Sequence, residues 1–191
     1  MPHNFLIYGS YGYTGDLLAR EAVARGLRPI LAGRDPQRLA QQAAELGLQH
    51  MAFNLDDRAA MDLALTQVKL VLHCAGPFSR TAQPMVDGCL RNRVHYLDIT
   101  GEIAVFEALA RRSAEAQAAG VMVLPGAGFD VVPSDCLAAH LKRRLPTADR
   151  LALGIRGLGS GISRGTLTTG AESLGGATWV RRAGRLVELP P

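Results

Sequence analysis

The sequence of 191 residues has few cysteines, few aromatic side chains and no long apolar run. Its three cysteines, Cys74, Cys89 and Cys136, are widely spaced and form no C-x-x-C pair, which argues against a disulfide framework and against a zinc site. The apolar runs are far shorter than the ~20 residues of a membrane helix, and no secretory signal is visible. A cytoplasmic protein without a transmembrane segment or a metal is therefore expected.

The basic charge of the chain gives little support to a nucleic-acid partner. The formal net charge is +4, but the arginines are scattered along the chain and only 5% of the residues are aromatic. Arginines on helix surfaces, two of them used on a phosphate, explain this charge equally well. With 48% apolar residues, the length predicts one domain and the beginning of another.

The stretch from Asn4 to Asp35 organises the chain. Phe5–Tyr8 forms a short apolar run that is typical of a strand and ends at a glycine-rich turn. A helical pattern follows, and Pro29–Ala32 supplies a second apolar run. This order predicts a βαβ unit, whose usual length is about 30 residues.

Three glycines in the first turn indicate an anion site. Their spacing is G-x-x-G-x-x-G, between a strand and a helix. Glycine lets backbone approach a ligand closely, and the free N–H groups at a helix N-terminus favour an anion such as a pyrophosphate. The candidate cofactor-binding residues of this turn are Gly9, Ser10, Tyr11, Gly12, Tyr13, Thr14 and Gly15.

The end of the second strand favours NADP over NAD. An NAD enzyme is expected to carry an acidic residue there for the ribose 2′-hydroxyl, whereas an NADP enzyme carries an arginine. Gly33 is followed by Arg34, with Arg38 one helical turn further on. Asp35 could instead bind the ribose, but Pro36 follows it, and this pair is typical of a helix start.

Beyond this unit, strands and helices continue to alternate, which predicts an α/β fold with a doubly wound parallel sheet. The predicted helices are Gln37–Leu46, Asp57–Thr66, Thr81–Arg91, Ile103–Ala119 and Pro133–Leu145, and the predicted strands are His50–Leu55, Lys69–His73, Val94–Ile99, Val121–Leu124 and Leu151–Ile155. Residues 1–156 would form the dinucleotide-binding domain. Residues 157–191 begin with a glycine-rich segment and would be a linker, the start of a truncated substrate domain, or a mobile active-site loop.

The loops at the carboxyl ends of the strands are rich in glycine, proline and polar residues, and ligands of open α/β sheets bind at that edge. The loop after the fourth strand is expected beside the glycine turn, near a ribose or nicotinamide, unless it is an ordinary tight turn. Its candidate residues are Cys74, Ala75, Gly76, Pro77 and Phe78, and Asp57 of an earlier loop is a further cofactor candidate.

Substrate-side candidates follow the fifth and sixth strands. Asp98 could orient a substrate or relay a proton, whereas Thr100 is suited to cap the next helix with Glu102 in its first turn. The other substrate-side candidates are Gly128, Phe129 and Asp130. Capping is an equally good interpretation for Asp130, and no catalytic residue is assigned.

Two other enzyme classes are disfavoured. Gly161–Gly165 matches G-x-S-x-G, but glycine-rich residues precede it and no histidine follows His140. The lysines are Lys69 and Lys142, and neither has a tyrosine four residues before it, as a short-chain dehydrogenase would require.

Four motifs, GSYGYTG, CAGPF, HYLDITGE and GAGFDVVPSD, resemble the NADP-binding half of the saccharopine dehydrogenase-like oxidoreductases, which include trans-acting enoyl reductases. The resemblance implies a Rossmann domain with the pyrophosphate at Gly9, Gly12, Thr14 and Gly15. It also implies the 2′-phosphate at Arg34 and the nicotinamide near Gly76–Phe78. One departure is Asp16, whose charge would oppose a pyrophosphate unless its side chain points away.

The function expected from this resemblance is an NADP-dependent oxidoreductase. It would transfer a hydride between nicotinamide and a C=C, C=N or C=O group of a small-molecule substrate, and the protein could be a homodimer. Family members continue with a substrate domain, so the chain looks like a truncated version or an isolated domain. The alternative is a non-catalytic NADP-binding sensor or interaction module.

Overall fold

The computed structural model describes residues 5–156 and 178–189. The chain divides into two compact units, Met1–Ile155 and Arg156–Pro191. The first unit contains a parallel sheet with helices on both faces, and the second contains a two-stranded sheet. No helix in the described part of the chain is both long and apolar enough to cross a membrane.

The first unit alternates strands and helices as the sequence pattern predicts. Its strands are β1 (Phe5–Tyr8), β2 (Ile30–Gly33), β3 (His50–Ala52), β4 (Leu70–His73), β5 (His95–Asp98) and β6 (Val123–Leu124). Its helices are α1 (Tyr13–Ala24), α2 (Pro36–Leu46), α3 (Arg58–Leu65), α4 (Phe78–Asn92), α5 (Ile103–Ala110), α6 (Ser113–Ala119) and α7 (Val132–Arg144). The strand order is β3-β2-β1-β4-β5-β6 with all pairs parallel, so the prediction of a doubly wound sheet is confirmed.

Side chains alternate between the two faces of the sheet because successive strand residues point in opposite directions. Ile7 and Leu31 belong to one buried cluster, together with Leu39 of α2. Leu6, Tyr8 and the side chains of α3 and α4 belong to the larger cluster on the other face. Strands β1 and β2 are therefore covered on both faces, which explains their nearly continuous apolar sequences.

The predicted helix Ile103–Ala119 is interrupted in the structure. Helix α5 ends at Ala110 and α6 begins at Ser113. At the break, the Arg112 guanidinium pairs with Asp87 of α4 and with Glu115 of α6. The prediction of one continuous helix was therefore wrong, and the break coincides with these ion pairs of Arg112.

The predicted strand Leu151–Ile155 is also wrong. These residues have no regular secondary structure, and Ile155 is 86% exposed. A strand requires a neighbouring ladder, and β6 pairs only with β5 among the described strands. The apolar pattern of this segment therefore resembles a strand without forming one.

The second unit contains an antiparallel hairpin of β7 (Thr178–Arg182) and β8 (Arg185–Leu189). Ala183 and Gly184 make its turn with φ values of +47° and +77°, the positive values of a type I′ turn. The sequence analysis did not foresee this hairpin within residues 157–191. The G-x-S-x-G match and most of the glycine-rich segment lie outside the described residues.

His73, the last residue of β4, is a buried imidazole in an aromatic surrounding. Its side chain is 0% exposed, and neither ring nitrogen has a hydrogen-bond partner. The rings of Tyr8, Phe78 and Tyr96 lie 5.5, 5.4 and 6.1 Å from it. Burial lowers the pKa of His73 from 6.5 to about 3, so the imidazole is neutral in the folded protein.

This depressed pKa predicts an acid-sensitive fold. Below pH 6.5 the unfolded chain binds a proton at His73 that the folded chain does not bind until about pH 3. Stability at this site should therefore fall with decreasing pH by up to about 1.4 kcal/mol per pH unit. Urea unfolding of the wild type and of His73→Leu between pH 7.5 and 5 measures this loss. The variant should lose clearly less stability over that range, and equal losses would contradict the assignment.

Candidate nucleotide-binding site

The turn between β1 and α1 brings backbone into close contact at two glycines. Gly9 has a φ of +80°, and its N–H donates to the Ala32 carbonyl of β2 at 2.7 Å. A Cβ on Gly15 would lie 2.2 Å from the Gly9 carbonyl oxygen, a distance that no side chain permits. Helix α1 then begins with Gly12 at its cap position and without a side-chain cap. Its first N–H groups are thus available to a ligand anion.

The side chain of Gln42 in α2 holds this turn in place by hydrogen bonds. The Ser10 hydroxyl donates to Gln42 Oε1 at 2.8 Å, and Gln42 Nε2 donates to the Ser10 carbonyl at 2.8 Å. Gln42 is 6% exposed, and it lies beside Leu39 and Ala43 on the buried side of its helix. The sequence analysis missed Gln42, although a polar residue within an apolar helical stripe is a readable signal.

Asp16 does not oppose an anion in the turn. Its Oδ2 pairs with Arg20 Nε at 2.8 Å, and its Oδ1 accepts from Gln42 Nε2 at 2.9 Å. The hydrogen bond from Arg20 lowers the pKa of Asp16 and stabilises its charge. Both carboxylate oxygens are thus directed toward α1 and α2 rather than toward the open N–H groups.

Asp35 caps helix α2. Its Oδ1 accepts from Gln37 N at 3.0 Å and from Arg38 N at 3.1 Å, with Pro36 at the first helical position. The interpretation of Asp35 as a cap is therefore confirmed. Both hydrogen bonds go to the same carboxylate oxygen, Oδ1.

A pocket of about 640 Å³ opens at the end of β2. Its lining residues are Tyr11, Arg34, Asp35, Pro36, Gln37, Arg38 and Asn54. The Arg38 guanidinium lies 4.5 Å from the Tyr11 ring centroid, and both arginines are exposed. The sequence analysis selected the two arginines but missed Asn54, which follows β3 at the same edge of the sheet.

The loop after β4 lies next to the glycine turn, as the strand order predicts. A Cβ on Gly9 would lie 2.8 Å from the Ala75 Cβ, so the two loops touch. Gly76 is exposed, whereas Phe78 is buried and starts α4 instead of forming part of the loop surface. Burial, with a smaller contribution from Asp98, raises the pKa of the Cys74 thiol to about 12.

Glu102 caps a helix other than the predicted one. Its carboxylate oxygens accept from Phe78 N at 2.8 Å and Ser79 N at 2.7 Å, at the start of α4. The Thr100 hydroxyl accepts from Glu102 N at 3.1 Å, just before α5. The expectation of Glu102 in the first turn of its own helix was wrong, because residue 102 is the cap position and its side chain reaches α4.

Asp98 joins the loops after β5 and β6. It is 0% exposed, and its Oδ2 accepts from the Tyr96 hydroxyl at 2.7 Å. Its Oδ1 accepts from Thr100 N at 3.0 Å and from Gly126 N at 2.8 Å. In this conformation the carboxylate positions loops, and a substrate contact by Asp98 stays a prediction.

The remaining candidates are spread over two loops. A Cβ on Gly128 would lie 2.9 Å from the Ile99 Cβ, so this glycine permits packing of one loop against another. Phe129 is 83% exposed, and Asp130 lies in the same loop. Asp57 caps α3 by accepting from Ala60 N at 3.0 Å. Cofactor or substrate contacts by these residues also stay predictions.

Strand order, glycine turn and arginine pocket together define a dinucleotide-binding domain of the doubly wound class. Residues 5–124 match the model of the family described as "Saccharopine dehydrogenase NADP binding domain". The chain therefore belongs to this family of NADP-binding domains.

Two curated relatives and one solved structure illustrate the similarity. The mouse saccharopine dehydrogenase-like oxidoreductase is 30% identical over 75% of this chain and 38% of its own length. The trans-acting enoyl reductase of Mycobacterium ulcerans is 30% identical over 73% of this chain and 35% of its own. The saccharopine dehydrogenase (L-Glu forming) of Saccharomyces cerevisiae has a TM-score of 0.66 at 18% identity, over 75% of this chain and 31% of its own. The chain thus spans just over a third of the length of these curated relatives.

The bond between Glu102 and α4 predicts a stability effect. In Glu102→Gln, one amide oxygen replaces the two charged acceptors of Phe78 N and Ser79 N. The free energy of unfolding should fall by about 1–2 kcal/mol. Glu107→Gln, on the exposed side of the same α5, is the matched control and should change stability by less than about 0.5 kcal/mol. Similar urea midpoints for all three proteins would refute the capping role.

Proposed function

We propose that this domain holds NADPH as the hydride donor of an oxidoreductase acting on a small molecule. The observation that carries the proposal is the pocket at the end of β2, where two guanidinium groups lie beside a carboxylate already used as a helix cap. A phosphate dianion fits such a pocket, because one guanidinium group can donate two parallel hydrogen bonds to phosphate oxygens. An unphosphorylated ribose would meet an aspartate whose Oδ1 already accepts two backbone N–H groups, whereas NAD-binding domains offer an acidic residue to the ribose.

The glycine turn supplies the second half of the proposed cofactor site. The uncapped N-terminus of α1 would hold the pyrophosphate with backbone N–H groups. Gly15 and Gly9 allow the necessary backbone approach, and Gln42 and Ser10 keep the turn in place. The Asp16 carboxylate beside the turn is paired with Arg20 and accepts a hydrogen bond from Gln42.

The contact between the glycine turn and the loop from Cys74 to Phe78 would place the nicotinamide near Ala75 and Gly76. When bound, NADPH supplies a hydride from its nicotinamide ring. The acceptor would be the carbon of a C=C, C=N or C=O group held at the same edge of the sheet. The chain's part in this step is orientation of the reacting groups and exclusion of water.

Four titratable groups near this edge are committed to other roles. Asp98 and Glu102 accept backbone hydrogen bonds, His73 is enclosed and neutral, and the raised pKa of Cys74 keeps its proton on the thiol. None of these four is suited to give a proton to a substrate. We therefore propose that this domain contributes the hydride side of the reaction, with the proton coming from water or from a substrate domain.

The pocket at the end of β2 also favours a second candidate function, a non-catalytic NADP-binding sensor or interaction module. NADPH oxidation with acyl or imine substrates would support the oxidoreductase. Tight NADPH binding without any hydride transfer, tested with the longest form of the protein, would support the module. A cytoplasmic location and a homodimer stay predictions.

Arg34 provides the direct test of the proposed cofactor. Its guanidinium lines the pocket, so Arg34→Ala should weaken NADPH binding by at least about tenfold and NADH binding by less than about twofold. Calorimetric titration at low ionic strength measures both affinities.

Arg25→Ala is the matched control, because Arg25 is exposed and lies at the other end of α1, paired with Glu21. This variant should bind both nucleotides as the wild type does. Equal losses for NADPH and NADH in Arg34→Ala would contradict the 2′-phosphate assignment, and binding of neither nucleotide by the wild type would refute the proposed function.

A further inference from the structure

Tyr11 is held in the glycine turn by contacts with the end of β2 and with α2. Its hydroxyl oxygen accepts from Arg34 N and from Asp35 N, both at 3.1 Å. Its ring lies against Gly33, where a Cβ would be 2.6 Å from the ring carbon Cε1. Its carbonyl oxygen accepts from Arg38 Nη2 at 3.0 Å. A large aromatic side chain is thereby fixed at the pocket wall.

The hydrogen bonds of the phenol leave its proton for a ligand. A phenol oxygen can accept hydrogen bonds and also donates one. Tyr11 accepts two backbone N–H groups, and no described residue accepts its proton. Tyr11 belongs to the lining of the same pocket as Arg34 and Arg38. A ligand with acceptor oxygens would therefore meet one neutral donor between two cations.

Tyr11 also decides which donors the pocket offers. The N–H groups of Arg34 and Asp35 are occupied by its hydroxyl, so they cannot bind a ribose directly in this conformation. Oδ1 of the Asp35 carboxylate accepts from two N–H groups at the start of α2. What the pocket offers is an O–H donor and guanidinium groups, and these match a phosphate better than a ribose hydroxyl, because charged acceptors make stronger hydrogen bonds.

We propose that Tyr11 is a specificity-determining residue that donates its hydroxyl hydrogen to the 2′-phosphate of the adenosine ribose and holds Arg38 against the same group. This inference rests on the proposed function, since it assigns one contact of the proposed NADP site. It adds a donor from within the glycine turn to the two arginines. The contact selects for the phosphorylated nucleotide.

The experiment is calorimetric titration of the whole chain and of Tyr11→Phe with NADPH, NADH and adenosine 2′,5′-bisphosphate. Phenylalanine keeps the ring against Gly33 and Arg38 but removes the proposed donor, together with the acceptor of Arg34 N and Asp35 N. Affinity for NADPH and for the bisphosphate should fall by about tenfold, the size expected for a hydrogen bond to a charged group. Affinity for NADH should change by less than about twofold.

Tyr8→Phe is the matched control. It removes another phenol hydroxyl, which donates to the Phe53 carbonyl at 3.1 Å in the core. This variant should lose stability but keep the wild-type ratio of NADPH to NADH affinity. Thermal unfolding of each variant verifies that the titrated protein is folded.

The possible outcomes separate the two proposals. Equal losses for NADPH and NADH in Tyr11→Phe, or no loss for either, would overturn the specificity role of Tyr11 while leaving NADP binding intact. If the wild type binds the bisphosphate but neither dinucleotide, the proposed function fails, and the bisphosphate affinities of the two proteins still decide the role of Tyr11. Absence of all binding to the wild type overturns both.

Discussion

The close approach of Gly15 to the Gly9 carbonyl oxygen is the constraint on which the site depends. Only a residue without a Cβ fits there, so α1 can start close to the end of β1. The same geometry brings Tyr11 over Gly33, since the turn must pass close to β2. The glycine turn and the arginine pocket thus both depend on close approach at a glycine, Gly15 in one case and Gly33 in the other.

Hydrogen bonds of polar side chains hold other segments at the sheet edge in place. Gln42 fixes the turn from α2, Asp98 fixes the loops after β5 and β6, and Glu102 fixes the start of α4. Each of these side chains bonds to a residue at least 23 positions away in the sequence. The edge of the sheet is therefore held in place before any ligand arrives, and pre-organisation of this kind lowers the entropic cost of binding.

Local sequence signals predicted those parts of the fold whose causes are local. The glycine spacing and the apolar run Phe5–Tyr8 identified the first βαβ unit, and the pair Asp35-Pro36 identified a helix cap that the structure confirms. The break at Arg112 could not be predicted, because its partner Asp87 belongs to another helix. Glu102 was assigned to the wrong helix for the same reason, since its partners lie at the start of α4, 24 and 23 residues earlier. Candidate residues could be placed at the correct edge of the sheet, but their individual contacts depend on pairings distant in sequence.

The carboxylates of Asp98 and Glu102 hold structure in place in this domain and are not suited to acid–base chemistry. A carboxyl group that acts as a general acid must carry and release a proton near the substrate. Asp98, buried beneath three donors, and Glu102, bound to two backbone N–H groups, are instead stabilised as acceptors. These hydrogen bonds hold the loops at the sheet edge. A domain whose acidic residues hold loops in place is suited to hold a cofactor in one orientation. A proton donor is better placed near the substrate.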